Sequence, residues 1–483
     1  MRARTSAVEV GLAAALAVVA IRLAWLSRGW PLIHDAPLMH YVAWLIDRSA
    51  VPYRDVFDMN APGVYLLHLA VLRGLGGGDV AWRMFDLGWL ALTSLLLAWY
   101  AWPFGARAAA IAGLLFAVYH LAGGVWLAGQ RDFVVCAFLV AGAGLVVSAA
   151  ALPGLVLAGV AAGAAVTVKP PTGLFLALLA GAAALGARRG GRRWWPAALA
   201  VLAGGAVVPL ACLGWLAARG ALPAFLIVFG EYVLPLYSRL ARVSPWTALG
   251  GWPFGGQIWA LFAVVVACAC AARRWDLRRG LAVAGVGYGV AHFLIQGKGW
   301  EYQLYPLAAF ASLCAAPALA AAWRPARGLA ALALALLTLQ LAVKGGNEAW
   351  PPWIAAKSAR VRAIVGDLRE RVGPADTVQV LDTSDGGIDA LYVLGVREPT
   401  RFIYDFHFFH DEGQPVIRRL RAELLAALAA RPPAFVVLLE RGWPAGGYER
   451  LARFPALARW IAADYRLDRE GNGYRIYAKR AGS

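Results

Sequence analysis

Long apolar runs recur through the first two thirds of this 483-residue chain and constrain its fold more than any other feature. A helix needs about 20 apolar residues to cross the ~30 Å hydrocarbon core of a bilayer. Only 15% of the residues are charged, against about 25% in a soluble domain. We therefore predict a polytopic α-helical membrane protein. The eleven predicted spans cover residues 8–27, 81–103, 107–125, 132–150, 152–168, 171–187, 196–217, 257–272, 281–296, 304–322 and 328–343.

The character of the sequence changes near residue 345. Residues 1–345 form the predicted membrane domain, and residues 346–483 form a predicted soluble α/β domain. In the second part, short β-branched and aromatic runs are typical of strands, and two amphipathic runs are typical of helices. The predicted strands are 377–382, 401–406, 434–440 and 474–479, and the predicted helices are 358–372 and 416–430.

The basic residues predict an orientation. The net charge is +18, and short Arg clusters separate the apolar runs. With eleven spans these clusters share one side, which the positive-inside rule assigns to the cytoplasm. We expect a multi-pass protein of the cytoplasmic (inner) membrane, with a cytoplasmic N-terminus and an extracytoplasmic C-terminal domain. The clusters are expected to contact membrane lipid; we predict no nucleic-acid partner, because the loops lack interleaved basic and aromatic repeats.

The first outer loop, residues 28–80, carries the most distinctive polar residues. It contains two predicted juxtamembrane helices. One runs from Ala36 to Arg48 and is apolar on one face; the other runs from Pro62 to Gly76 and is too short for a span.

Carboxylates are costly at the mouth of a membrane bundle unless they have a role. Asp35, which follows His34, is the candidate catalytic carboxylate. A helix N-cap is the alternative for Asp35, and the two roles are compatible. Asp58 is a second acidic candidate, and it could equally cap the following helix.

Cations on three separate outer turns predict a site for a phosphorylated ligand. They are Arg131, Lys169 and Lys298. Lys298 lies between glycines, which lets a phosphate approach closely. The alternatives are an Arg–Asp pair at the helix end for Arg131 and an interfacial anchor for Lys298. The other residues predicted to line the site are Tyr53, Asn60, Gln130, Asp132, Trp300, Glu301 and Tyr302.

The sequence indicates no metal centre. The five cysteines lie in apolar stretches, as is typical of small buried residues. His407 and His410, with Asp405 and Asp411, could bind a metal, but such a group is more often a polar loop. We predict no cofactor; a divalent metal stays open, with no motif that indicates one.

These motifs together resemble the GT-C glycosyltransferases, within them the protein O-mannosyltransferase and aminoarabinose-transferase group. The resemblance covers roughly residues 8–310. Its residues are Asp35 just after the first span, the segment Pro52-Tyr-Arg-Asp-Val-Phe-Asp58, the apolar Tyr65-Leu-Leu67, and the turns Gln130-Arg-Asp132 and Lys298-Gly-Trp-Glu-Tyr302. Two segments depart from the pattern: His34-Asp35 stands where many members have Asp-Glu, and Asn60-Ala61-Pro62 where many have Lys-Pro-Pro.

The resemblance implies about eleven to thirteen spans and a polyprenyl-phosphate sugar donor. It implies a hexosyl- or pentosyltransferase that delivers the sugar, with inversion, to an acceptor hydroxyl on the outer face. Asp35 would accept the hydroxyl proton, and the three cations would stabilise the leaving phosphate. The acceptor, whether glycan, lipid or protein, stays open.

Two other classes of protein compete with an enzyme. A transporter or flippase of a lipid-linked or anionic substrate would carry charges within its spans, and few are visible here. A membrane scaffold that presents the C-terminal domain would need neither Asp35 nor Lys298.

Overall fold

The computed structural model describes residues 2–149, 151–250, 255–271, 275–444 and 446–480. Over these residues the chain forms a helical bundle followed by a smaller domain that contains a four-stranded sheet. One large apolar core fills the bundle. A second core joins the first outer loop to the C-terminal domain, so the loop and the domain fold against each other.

The bundle and its loops contain the helices α1 to α15. In chain order they are α1 (Arg2–Leu26), α2 (Ala36–Asp47), α3 (Pro62–Leu75), α4 (Asp79–Ala101), α5 (Ala106–Ala122), α6 (Arg131–Ser148), α7 (Leu152–Val168), α8 (Gly173–Arg189), α9 (Trp194–Ala218), α10 (Leu222–Ile227), α11 (Pro245–Gly250), α12 (Gly255–Cys270), α13 (Leu277–Gln296), α14 (Tyr305–Leu319) and α15 (Arg324–Glu348).

Every predicted span coincides with one of these helices. Among the described residues, six helical segments are long and apolar enough to cross a membrane by length and composition, and several shorter apolar helices accompany them. These segments indicate an integral membrane protein. The number of spans and the side on which each loop lies stay predictions.

Small residues let two helices of the bundle approach closely, as is common in membrane proteins. A Cβ atom on Gly159 of α7 would lie 2.0 Å from the carbonyl oxygen of Val201 in α9. A Cβ atom on Gly204 of α9 would lie 2.1 Å from the carbonyl oxygen of Val156. Only glycine fits at these contacts, which explains why α7 and α9 pack backbone to backbone.

The loop at residues 28–80 forms both of its predicted helices. The predicted apolar face of α2, which includes Leu38, Tyr41, Val42 and Leu45, is buried. Helix α3 begins at Pro62, where the missing N–H of proline costs nothing.

The C-terminal domain consists of α16 (Pro352–Leu368), α17 (Gly387–Leu394), α18 (Pro415–Ala430), α19 (Pro455–Asp464) and the strands β1 (Val378–Leu381), β2 (Phe435–Leu439), β3 (Tyr465–Gly471) and β4 (Tyr474–Lys479). The strand order is β1-β2-β4-β3. Strand β1 is parallel to β2, and the other two pairs are antiparallel. The predicted helical bundle with a C-terminal α/β part is confirmed at this level.

One strand assignment from the sequence is wrong, and one strand was missed. Residues 401–406 form no strand; Phe402 makes an isolated bridge to Phe57 of the outer loop. The backbone N–H of Asp405 donates to the carbonyl oxygen of Asp382, so this aromatic segment connects the sheet to the loop. Strand β3 was missed because its residues are mostly charged and exposed, as on an edge strand.

Candidate active site

A small cavity of about 160 Å³ lies where the outer loop, the end of the bundle and the C-terminal domain meet. The loop and the bundle form its floor, and the C-terminal domain covers it. The lining residues are His34, Asp35, Met39, Met59, Asn60, Trp126, Arg131, Tyr237, Trp300, Tyr302, Thr383, Ser384, Tyr404, Phe406 and Trp443.

Asp35 directs its carboxylate into this cavity. It stands at the N-cap position of α2, but its side chain makes no capping hydrogen bond. Its Oδ1 lies 3.5 Å from Nε2 of His34, and its Oδ2 lies 4.0 Å from Nη2 of Arg131. The capping alternative is therefore wrong for the side chain. The loose pairing leaves the carboxylate free to accept a proton.

The surroundings of Asp35 keep it ionised. Burial alone would raise the pKa of this carboxyl group, but the neighbouring His34, which is charged in the acidic range where the carboxyl titrates, and the cations Arg131 and Lys357 outweigh burial and lower it. Asp35 is therefore a carboxylate at neutral pH. His34 has a lowered pKa because it is buried, so its ring is neutral there.

The backbone at His34 is strained. Its φ of 64° lies in the left-handed region, where a residue other than glycine costs of order 1–3 kcal/mol. The ring is held by stacking on Trp126, with 3.5 Å between ring centroids. This conformation turns the chain between α1 and α2 so that Asp35 points inward.

Arg131 is placed by a buried anchor beneath it. It is the first residue of α6, and the preceding turn contains Gly129 at a φ of 63°. The N–H of Gly129 donates to Oδ1 of Asp86 at 2.7 Å, deep in α4. Asp86 also pairs with Arg83 and with His120, whose Nε2 lies 3.1 Å away.

This buried network was not predicted from the sequence. Nδ1 of His120 lies 2.7 Å from the hydroxyl of Tyr305, which extends the network to α14. Arg83 and Asp86 are charged residues within a predicted span, and such residues are functional candidates by default. The sequence already showed these charges inside a span, because both residues fall in the predicted span 81–103.

Lys169 and Asp132 form a closed pair beside the cavity. Nζ of Lys169 lies 2.9 Å from Oδ2 of Asp132, and Nε2 of His292 lies 2.7 Å from Oδ1. The predicted alternative of an Arg131–Asp132 pair does not form, because Arg131 lies toward Asp35 while Lys169 and His292 engage Asp132. Neither Lys169 nor Asp132 is among the described lining residues.

Lys298 lies behind the cavity wall. Its Nζ donates to the carbonyl oxygens of Tyr237 and Leu240 at 3.1 and 3.0 Å. It also lies 3.9 Å from the ring centre of Tyr237 and 5.2 Å from that of Trp300. Burial lowers its pKa to about 7, with the cations Lys169 and Arg131 adding to the shift. Lys298 thus supports two lining residues without lining the cavity itself.

Asp58 and Tyr53 shape the loop from within. Asp58 is buried and accepts hydrogen bonds from the Met59 N–H at 2.6 Å and from the Tyr65 hydroxyl. The hydroxyl of Tyr53 donates to the carbonyl oxygen of Asn60 at 2.6 Å. Asp58 does not cap α3, whose N-cap is Ala61.

The remaining predicted residues divide between the cavity and its surroundings. Trp300, Tyr302 and Asn60 line the cavity. Gln130 donates from Nε2 to the carbonyl oxygen of Trp126 at 3.2 Å. Glu301 pairs with Lys344 at 3.5 Å, and burial raises its pKa to about 7.

The C-terminal domain supplies lining residues that the sequence did not predict. They are Thr383, Ser384, Tyr404, Phe406 and Trp443. Tyr404 and Phe406 belong to the segment 401–406, which leaves the sheet to cover the cavity. The unusual aromatic content of that segment was the only feature of the sequence that could have indicated its place at the cavity.

The four residues considered for a metal make other contacts. The hydroxyl of Tyr232 lies 2.7 Å from Nδ1 of His407 and 2.9 Å from Nε2 of His410. Asp405 pairs with Arg450 instead. Within the described part of the chain, no group of three potential ligands forms a metal site. The histidines therefore anchor Tyr232, in the helical segment after α10, to the C-terminal domain.

The five cysteines are free. Cys136, Cys212, Cys268 and Cys314 are buried, as predicted, whereas Cys270 at the end of α12 is exposed.

The sequence matches no protein-family model. A comparison with curated proteins returns no match either.

Solved structures are similar over nearly the whole chain. ArnT from Cupriavidus metallidurans, bound to undecaprenyl phosphate, superimposes with a TM-score of 0.58 at 15% identity over 97% of this chain and 98% of that protein. The oligosaccharyltransferase of Archaeoglobus fulgidus, in complex with zinc and sulfate, gives 0.51 at 13% identity over 96% of this chain and 73% of its own. The same archaeal enzyme, AglB, has been solved with an inhibitory peptide and a dolichol-phosphate, and it gives 0.51 at 11% identity over 98% of this chain and 74% of its own. Both neighbours are GT-C glycosyltransferases, and the chain described here has the GT-C fold.

Proposed function

We propose that this protein is a membrane glycosyltransferase that transfers a sugar from a polyprenyl phosphate to an acceptor hydroxyl. The observation that carries the proposal is the pairing of Asp35 with Arg131 across the cavity, 4.0 Å apart. A general base and a phosphate-binding cation must both reach the reacting sugar, and these two side chains line the same cavity. The fold of ArnT and AglB supports the same reaction class.

The chemistry follows from these two residues. The acceptor oxygen attacks the anomeric carbon, its proton passes to the carboxylate of Asp35, and the bond from that carbon to the phosphate oxygen breaks. The bonding electrons leave with the polyprenyl phosphate, which gains one negative charge. A single displacement of this kind inverts the anomeric centre.

Arg131 stabilises the charge that develops on the phosphate. Its guanidinium can donate two parallel hydrogen bonds to phosphate oxygens. The hydroxyl groups of Tyr237, Tyr302 and Tyr404 line the same cavity and can donate to the phosphate as well. Lys169 and Lys298 act at longer range, since one is held by Asp132 and the other by backbone carbonyls.

An apolar groove provides a place for the lipid chain of the donor. Its volume is about 460 Å³, and it runs between α12, α13 and α14. Trp259, Phe262, Val290 and Leu307 are among its lining residues. Leu304, at its upper end, is two residues from Tyr302 of the cavity. A prenyl tail in this groove would place its phosphate near the cavity.

The proposed setting is the inner membrane, with the N-terminus in the cytoplasm. The cavity and the C-terminal domain would then lie on the outer face, where a lipid-linked donor is presented. The positive-inside distribution of the Arg clusters supports this orientation.

Asp35→Asn in purified protein tests the proposed base. We expect transfer from a polyprenyl-phosphate sugar to fall about 10²- to 10⁴-fold, since general-base catalysis contributes that much. Binding of the donor lipid should be retained. Asp47→Asn is the matched control, because Asp47 lies in the same loop and forms an exposed pair with Arg73. Transfer at a near-wild-type rate by Asp35→Asn would refute the assignment.

A lipid-substrate transporter is the second candidate. The buried charges Arg83 and Asp86 in α4 favour it, because charges within spans are typical of transport pathways. Reconstitution in liposomes separates the two functions. Movement of a polyprenyl-phosphate sugar across the bilayer, with no product on any acceptor, would identify a transporter.

A further inference from the structure

A second chamber, which we call the vestibule, adjoins the catalytic cavity. Its volume is about 400 Å³. The two spaces share five lining residues, which are His34, Trp126, Thr383, Ser384 and Trp443. The stacked rings of His34 and Trp126 therefore stand between the vestibule and Asp35. A molecule in the vestibule would therefore be separated from the proposed base, Asp35, only by these side chains.

The vestibule lies on the side of the cavity away from the phosphate-binding residues. Arg131, Tyr237 and Tyr302 line the cavity but not the vestibule. In a single displacement the acceptor must approach from the face opposite the leaving phosphate. The vestibule is placed to serve as that approach.

The charged residues of the vestibule are mostly cations. Lys357 and Arg360 come from α16, and Arg441 follows β2. The carboxylate among the lining residues is that of Asp385. Burial raises its pKa to about 6, with the neighbouring Asp382 contributing, so part of it is protonated near neutral pH. The chamber therefore favours a negatively charged occupant.

Two polar groups in this wall keep hydrogen-bonding capacity that the described residues do not use. Nζ of Lys357 is paired with Oδ1 of Asp389 at 3.2 Å, and its side chain is only 6% exposed, so the other donors of this ammonium remain for a ligand. Oδ2 of Asp385 has no hydrogen-bond partner among the described residues, while Oδ1 lies 2.7 Å from Nη1 of Arg360 in an ion pair. Buried polar groups are normally satisfied. The remaining donors of Lys357 and the free oxygen of Asp385 fit a ligand that offers an anionic oxygen and a hydroxyl.

Arg441 completes the arrangement at the mouth of the vestibule. It is exposed and forms no ion pair with a described residue. By contrast, Arg360 is held by Asp385 and by the carbonyl oxygen of Asn472 at 2.9 Å. Arg441 is thus the lining cation that is free to meet an incoming anion.

We propose that the vestibule is the acceptor site and that the acceptor is a hydroxyl-bearing molecule with a phosphate or carboxylate group. The anionic group contacts Arg441 and Lys357, and a hydroxyl hydrogen-bonds to Asp385. A second hydroxyl reaches past His34 to Asp35. This assignment rests on the proposed glycosyl transfer and adds the class of acceptor.

The test measures access to the vestibule through a thiol label. Ser384 is exposed and lines the chamber, so Ser384→Cys introduces a reporter in the full-length protein. The wild-type chain, with its five cysteines, supplies the background labelling. The probes are inorganic phosphate at constant ionic strength, and nanodiscs of phosphatidylglycerol compared with nanodiscs of phosphatidylcholine.

We expect at least one anionic probe to slow maleimide labelling of Ser384→Cys about five- to tenfold, the effect of one or two charge-assisted hydrogen bonds. Addition of Arg441→Gln should reduce the slowing to less than about twofold, and Arg441→Lys should retain part of it. Arg459→Gln is the matched control, since it removes the same charge from α19 of the same domain, away from the vestibule.

Equal slowing with and without Arg441→Gln would overturn the proposal, and so would the absence of slowing by either probe. Slowing by phosphatidylglycerol alone would identify a lipid headgroup, and slowing by inorganic phosphate would identify a water-soluble phosphorylated acceptor. Asp35→Asn should leave the protection unchanged while it abolishes transfer. A wrong assignment of the vestibule can therefore be distinguished from a wrong assignment of the catalytic site.

Discussion

Two cation–carboxylate pairs lie side by side at the start of α6, and they differ in how tightly they are closed. Arg131 and Asp35 are 4.0 Å apart and face the cavity. Lys169 and Asp132 are 2.9 Å apart, and Asp132 is also held by His292. The first pair keeps unused hydrogen-bonding capacity for a ligand. In the second pair the two charges neutralise each other, and the contacts of Asp132 with Lys169 and His292 connect α6 to the end of α7 and to α13.

The comparison shows that charge type alone does not identify a reacting group. Arg131 and Asp132 are neighbours in the sequence, yet the helix directs one toward the cavity and the other into the bundle. We therefore expect changes in the closed pair to reduce stability, and changes in the open pair to reduce turnover.

Breaking the closed pair is expected to have the largest effect. Lys169→Met leaves the buried Asp132 without its cation, and loss of one partner of a buried pair costs about 3–5 kcal/mol. The unfolding temperature of the purified protein in detergent should fall clearly. The double variant Lys169→Met with Asp132→Asn should recover part of that loss. An unchanged unfolding temperature in Lys169→Met would show that this pair is not structural.

Breaking the open pair should affect turnover with little change in stability. Arg131→Gln removes the guanidinium that we propose to stabilise the leaving phosphate, and removal of one such donor costs about 10²- to 10³-fold in rate. The rate of transfer and the unfolding temperature should be measured on the same preparation. A large fall in unfolding temperature with an unchanged rate per folded molecule would reverse the comparison between the two pairs.

The smallest expected effect concerns pH. Lys298 has a pKa of about 7, so its ammonium is present below this pH and is lost as pH rises through it. If that charge supports the phosphate from behind the cavity wall, affinity for the donor lipid should decline a few-fold between about pH 6 and 8. Lys298→Arg stays protonated throughout and should flatten the profile. The same decline in wild type and variant would exclude Lys298 as its source.

The helices could be predicted from the sequence, and so could Asp35 and Arg131 as candidate residues, because each depends on a local pattern; the contact between these two residues was not predicted. Apolar windows coincide with helices of the bundle, and Asp35 and Arg131 stood out as charges at helix ends. The resemblance to GT-C enzymes, drawn from a few loop motifs, agrees with the fold of ArnT and AglB.

The roles of the other residues depend on long-range packing, which local patterns do not encode. Lys169 was expected to meet the phosphate, but α6 offers it Asp132 at closer range. Asp58 was a candidate acid, but it lies inside the loop and binds Tyr65. The contribution of Tyr404 and Trp443 could not be foreseen, because the sequence does not show that the C-terminal domain covers the cavity.

The central claim is that the open pair of Asp35 and Arg131 is the reaction centre. An experimental structure of the full-length protein with a bound polyprenyl phosphate tests it most directly. We expect phosphate density within hydrogen-bonding distance of Arg131, with the carboxylate of Asp35 across the cavity from it. Phosphate bound elsewhere, with Arg131 and Asp35 still paired to each other alone, would contradict the account.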